Sequence, residues 1–76
     1  MHAEIYTWSY CPYCTRAKQL LEQNKIPFQE YNIDNDISKK KALQNQTNQN
    51  TVPYIFIDHK FIGGFKELKK LIKKKN

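Results

Sequence analysis

Seventy-six residues make room for one domain and no second, and such a chain buries only about 60% of the surface that its unfolded form exposes. The formal charge of +6 comes mostly from lysine, and no apolar run approaches the ~20 residues needed to cross a bilayer. The N-terminus carries neither the basic region nor the apolar stretch of a signal peptide, so a cytoplasmic, reducing compartment is expected, with no membrane partner.

Ala3 to Trp8 is short and rich in β-formers, which predicts a strand running into the turn Ser9-Tyr10. Cys11 follows at an N-cap-like position. Pro12 then stands at the first helical position, where a missing N–H costs nothing and φ is already set. Ala17, Leu20 and Leu21 recur at helical spacing and predict a helix over Pro12 to Asn24, with Arg16, Lys18 and Gln19 in water. Pro27 ends it. Phe28 to Ile33 reads as a second strand with a mixed pattern.

Asp34 to Asp36 form a turn and a cap for a short second helix, Ile37 to Gln44, capped by Asp36 or Asp34 and sending Ile37 and Leu43 into the core. The polar stretch Gln44 to Asn50 reads as a loop. Val52 to Ile57 is the most apolar segment, with Pro53 at its first strand position. Asp58-His59-Lys60 breaks it before Phe61-Ile62, which predicts a β-hairpin. Gly63-Gly64 leads into a third amphipathic helix through Phe65, Leu68, Leu71 and Ile72 that ends in lysines. The order is β-α-β-α-β-β-α in a single domain over residues 1–76. The right-handed crossover makes the first two strands parallel, and the class is α/β: a four-stranded mixed sheet flanked by three helices.

Cys11-Pro12-Tyr13-Cys14 holds the only two cysteines. A sulfur at the start of a helix meets unpaired backbone N–H groups and the positive end of the helix dipole, both of which favour the nucleophilic thiolate. A second cysteine three residues on lies about one turn away, within reach of a mixed disulfide formed at the first. Zinc would need four ligands, and His2 and His59 are not placed to supply the missing pair, so no metal is expected. A purely structural disulfide would close too short a loop to restrain the unfolded chain.

The lysines cluster at Lys39-Lys40-Lys41 and from Lys66 to Lys75. Without a recognition motif or interleaved aromatic and basic residues, they read as a solvated face and not as a nucleic-acid interface. Lys69 and Lys73 repel each other at i,i+4 spacing, so they are not there for helix stability.

Tyr6-Thr7, Cys11-Pro12-Tyr13-Cys14, Thr51-Val52-Pro53 and Ile62-Gly63-Gly64, in this order, closely resemble the dithiol glutaredoxins, the small bacterial type in particular. The resemblance runs over essentially the whole chain. It implies a thioredoxin fold with Pro53 cis and facing the cysteines, and a glutathione-dependent thiol–disulfide oxidoreductase that reduces protein disulfides and protein–glutathione mixed disulfides. Cys11 would be the nucleophile and Cys14 the resolving thiol, with Pro12 and Arg16 in support. Glutathione would lie against Cys11, Tyr13, Gln49, Thr51, Val52, Pro53, Gly64 and Phe65, with the Val52 backbone pairing like an added strand.

Two positions depart from the family pattern: Trp8 stands where many relatives have lysine, and Lys66 where an acceptor for an amino group is common. The resemblance suggests a monomer whose protein partners could include ribonucleotide reductase or peroxide-detoxifying enzymes. Two other readings stay open: an electron carrier reduced by thioredoxin reductase, and an iron–sulfur scaffold bridging two chains through Cys11, which Pro12 disfavours.

Overall fold

The computed structural model describes residues 1–75, leaving Asn76 of the expected single domain outside the described residues. In chain order the elements are β1 (Ala3–Thr7), α1 (Pro12–Gln23), β2 (Phe28–Asn32), α2 (Ile37–Thr47), β3 (Tyr54–Ile57), β4 (Lys60–Gly63) and α3 (Phe65–Lys75). The strands lie in the order β2-β1-β3-β4, with β1 and β2 parallel and the other pairings antiparallel. That is the expected mixed sheet with its three helices.

Alternation along β1 decides the two faces of the sheet. Ala3, Ile5 and Thr7 are fully buried on one face, where Ala3 and Ile5 pack with Ala17 and Leu21 of α1, Leu68 of α3 and Ile55 of β3. Tyr6 and Trp8 turn to the other, packing on a second cluster of Cys14, Ile33, Leu43, Val52, Tyr54 and Phe56. Cys14 thus belongs to a hydrophobic cluster as well as to the cysteine motif. The buried Thr7 hydroxyl donates to Glu30 Oε2 at 2.7 Å, and Lys18 Nζ meets the same carboxylate at 3.1 Å, linking β1, β2 and α1. Lys18, expected in water, is therefore half-buried.

Several boundaries differ from the sequence reading. Trp8, Asn24 and Ile33 fall just outside their elements, although Ile33 stays buried. The second helix continues through Gln44–Thr47, which reads as loop from composition. Thr47 Oγ1 donates to Leu43 O at 2.6 Å, and Asn48, at φ 60°, closes the helix by donating its N–H to Gln44 O at 2.8 Å. Asn is among the few residues that accept this left-handed conformation, so a polar run can still end a helix. Ile37 is 66% exposed and adds nothing to the core, which α2 enters through Leu43 alone among its buried residues. Six residues at about 100° each put Ile37 roughly 120° round the helix from Leu43, off its buried stripe.

Asp36 is the cap of α2, accepting from Lys39 N–H at 2.9 Å. The β3–β4 hairpin turns on Asp58 and His59, both at positive φ as a two-residue loop requires. The turn is tied to the N-terminus by Asp58 N–H donating to His2 O at 2.9 Å and by His59 beside Glu4 at 3.2 Å. Strand β4 begins at Lys60, one residue before its apolar pair, and runs on to Gly63.

Gly63 sits at φ 120°, and a Cβ there would come within 2.6–2.9 Å of the Glu67 side chain. Both the dihedral and the space demand glycine. Gly63→Ala is expected to destabilise the protein by about 1 kcal/mol or more, with a matching fall in melting temperature; an unchanged melting temperature would contradict this account.

Candidate active site

The site is assembled at the N-terminus of α1, where Cys11 is the helix cap. Its backbone is extended at φ −144°, its carbonyl accepts Thr15 N–H at 3.2 Å, and its Sγ accepts Cys14 N–H at 3.1 Å. The sulfur thus occupies the place of an N-cap side-chain oxygen. Pro12 follows at the first helical position, and both thiols are free.

The two cysteines differ in environment. Cys11 is half-buried, whereas Cys14 is 2% exposed. Burial pushes the Cys14 thiol up to about 12, reinforced by its hydrogen bond with Cys11 and partly offset by the Trp8 backbone.

The turn before Cys11 is held from outside. The Asp34 carboxylate accepts Ser9 N–H at 2.9 Å and the Ser9 hydroxyl in a short contact, and Asn32 Nδ2 donates to Ser9 Oγ at 3.2 Å. The Ser9 hydroxyl, and then its N–H, hold the Asp34 carboxyl below the ordinary aspartate range. Asp34, an alternative cap for α2 on sequence grounds, fastens the active-site turn instead.

Across from Cys11, the Val52–Pro53 peptide is cis, and Val52 O lies 3.9 Å from Cys11 Sγ, facing the thiol. From there a groove of about 480 Å³ runs along Tyr13, Gln49, Thr51, Val52, Pro53, Gly64 and Phe65 to the start of α3. These are all the expected non-cysteine contact residues, drawn from three separate stretches of chain. Tyr13 and Phe65 meet with ring centroids 6.0 Å apart, and the Arg16 guanidinium lies 5.4 Å from the Tyr13 centroid. Gln49 donates from Nε2 to Thr51 O at 2.6 Å and Pro53 O at 3.0 Å, and Tyr54 Oη donates to Gln49 O at 2.6 Å. The wall opposite Cys11 is thereby braced.

Lys66, Glu67 and Lys69 also line the groove. Glu67 and Lys69 were not expected there. Glu67 Oε1 accepts Gly64 N–H at 2.8 Å, half of a capping box whose three-residue spacing is visible in the sequence; Lys69 carries no comparable signal. Trp8 packs against the cluster that holds Cys14, with Lys40 Nζ 5.0 Å from its ring, and its Nε1 is buried with no hydrogen-bond partner among the described residues. No cluster of His, Cys, Asp or Glu among the described residues is suited to hold a metal ion.

A cysteine pair at a helix start, facing a cis-proline strand across an open groove, is the geometry of a thiol–disulfide exchange site. Comparison with known proteins agrees: the glutaredoxin family model matches residues 3–62. The chain belongs to the glutaredoxin family of thiol–disulfide oxidoreductases.

It is 45% identical over 67 residues to glutaredoxin 3 of Escherichia coli K12, covering 88% of this chain and 81% of that one. A probable glutaredoxin of Synechocystis is 48% identical over 62 residues, covering 80% and 70%. The crystal structure of Francisella tularensis glutaredoxin 1 complexed with cacodylate superposes with a TM-score of 0.79 at 43% identity, covering 96% of this chain and 93% of that one. The buckwheat glutaredoxin–glutathione complex gives 0.89 at 30% identity, covering 96% and 69%.

The raised Cys14 thiol has a pH signature. A group whose pKa is higher in the folded state contributes stability below its unfolded value, and that contribution is lost as pH rises through the folded value. Here the window runs from about 9, the ordinary value, to about 12. Wild type is therefore expected to lose stability across that range more steeply than Cys14→Ala when chemical denaturation is followed at each pH. Parallel curves for the two proteins would refute the assignment.

Proposed function

We propose that this oxidoreductase works with glutathione, with Cys11 as nucleophile and Cys14 as resolving thiol. The observation that carries the reading is the groove itself: it is lined by Val52, whose carbonyl lies 3.9 Å from the Cys11 sulfur, by the Tyr13–Phe65 pair and by the N-terminus of α3. The similar buckwheat protein is described in complex with glutathione.

In this reading the Val52 backbone pairs with the cysteinyl part of the tripeptide, as an added strand would. Tyr13 and Phe65 flank its sulfur, Thr51 and Pro53 shape the wall, and Gln49 stands by the glycine carboxylate. The γ-glutamyl carboxylate goes to the N–H groups at the start of α3, where Gly64 brings the backbone close. Pro12 fixes the helix start, and Arg16 adds positive charge beside Tyr13.

Cys11 thiolate attacks the glutathione sulfur of a mixed disulfide; the Cys11–glutathione disulfide forms, the bond to the protein sulfur breaks, and the protein leaves as a thiol. A second glutathione thiolate then attacks the glutathione sulfur bound to Cys11, giving oxidised glutathione and free Cys11. With a protein disulfide, Cys11 forms a mixed disulfide with the protein instead. Cys14 then attacks the Cys11 sulfur, its proton going to the departing substrate sulfur; the bond from Cys11 to the substrate breaks, the substrate leaves as a dithiol, and the Cys11–Cys14 disulfide is afterwards reduced by two glutathiones. The burial that raises the Cys14 thiol keeps it from competing as the first nucleophile.

The reading extends to a cytoplasmic monomer acting on disulfide-containing or glutathionylated proteins, with ribonucleotide reductase among the partners to test.

Reduction of a glutathionylated peptide by glutathione, coupled to glutathione reductase, tests the core of this reading. Cys11→Ser is expected to lose essentially all turnover, while Cys14→Ser keeps it. An inactive wild type would reject glutathione dependence, and equal loss in both variants would reject the division of roles. Lys66→Asp is expected to tighten glutathione by supplying an acceptor for its amino group; equal affinity in the two proteins would rule that contact out.

A further inference from the structure

Charge is unevenly committed in this molecule. Glu4, Glu30, Asp34, Asp36, Asp58 and Glu67 each serve an internal contact: a His59 or Lys18 partner, the Ser9 turn, or a backbone N–H at Lys39, His2 or Gly64. Six of the seven acids are thus spent on caps and clamps, the exposed Glu22 of α1 being the other, and the formal charge remains +6.

At the reactive groove the imbalance is local. Lys66 and Lys69 are exposed on its α3 wall, and the exposed Arg16 guanidinium lies over Tyr13 on the other. The one carboxylate lining the groove, Glu67, is folded back onto Gly64 N–H in the space left by the missing Gly63 side chain. A glutamate at the third helical position offsets the helix dipole and leaves the two lysines facing outward.

We propose that this rim is the docking surface for the protein substrate, and that it selects polypeptide segments with acidic residues flanking the disulfide that Cys11 attacks. Exposed charges on the walls of the groove act on an incoming chain over the Debye length of about 10 Å at 0.1 M salt, and so on its encounter and orientation. Rim charges of this kind set association rates and partner choice more than final affinity. The inference rests on Cys11 as nucleophile but not on glutathione dependence.

The test is a single-turnover reaction without glutathione. Pre-reduced protein is mixed by stopped flow with two tryptophan-free peptides, each closed by one disulfide, identical except that Asp flanks the cysteines in one and Lys in the other. The Cys11 and Cys14 thiols give two electrons and two protons to the peptide disulfide. The protein ends with a Cys11–Cys14 disulfide and the peptide as a dithiol. Trp8, the only tryptophan and packed against the cluster that holds Cys14, reports the reaction by fluorescence.

The acidic peptide is expected to react about tenfold faster at low ionic strength, a preference that collapses towards unity in high salt. The double variant Lys66→Glu, Lys69→Glu is expected to abolish or invert it. Equal wild-type rates, or a preference unchanged in the double variant, would overturn the proposal. Reaction with neither peptide would instead refute Cys11 as nucleophile, and the docking surface with it.

Discussion

The structure depends on a sulfur doing the work of a helix cap. Cys11 Sγ accepts the Cys14 N–H that a serine or aspartate oxygen would ordinarily take, so this sulfur is fixed by the same hydrogen bond that starts α1. Chemistry and helix initiation share one contact. The start of α1 must therefore be held from every side: by β1 leading in, by Asp34 gripping Ser9, and by the Val52–Pro53 segment facing the thiol.

The two faces of the sheet divide this labour. One buries Ala3 and Ile5 under α1 and α3 in a conventional apolar core, contributing roughly 1.5–3 kcal/mol for each large aliphatic side chain fully removed from water. The other carries Cys14, Val52, Tyr54 and Trp8, so the redox centre is itself part of the packing of a small domain. The Cys14 thiol in that cluster is kept protonated by burial, while Cys11 at its margin stays accessible. The different environments of two identical side chains follow from a single turn of helix and the direction in which each points.

Around this frame the charged residues take unequal parts. Carboxylates close helix ends and turns, where backbone N–H groups need acceptors, whereas most lysines are left on the surface. Positive charge thus gathers by default at the groove, because the acid nearest to it is occupied in capping α3. Fold stability and the electrostatic character of the site are set by the same few contacts.

From the sequence alone, element order, strand directions, the cap at Cys11 and the glycine turn were legible, because each rests on local signals: a hydrophobic period, a proline or glycine at a required dihedral, a cysteine pair at helical spacing. The resemblance carried by Thr51-Val52-Pro53 and Gly63-Gly64 supplied what those signals lack, the cis peptide and the meeting of three distant stretches around one groove. What composition concealed was where a polar helix ends, since Gln44–Thr47 is helical only because Asn48 adopts a left-handed conformation and caps it. The exposure of Ile37, the clamp of Asp34 on Ser9 and the entry of Lys69 into the groove were decided by tertiary structure alone. Each depends on which element lies opposite, and pairwise geometry between segments far apart in the chain leaves no periodic trace in the sequence.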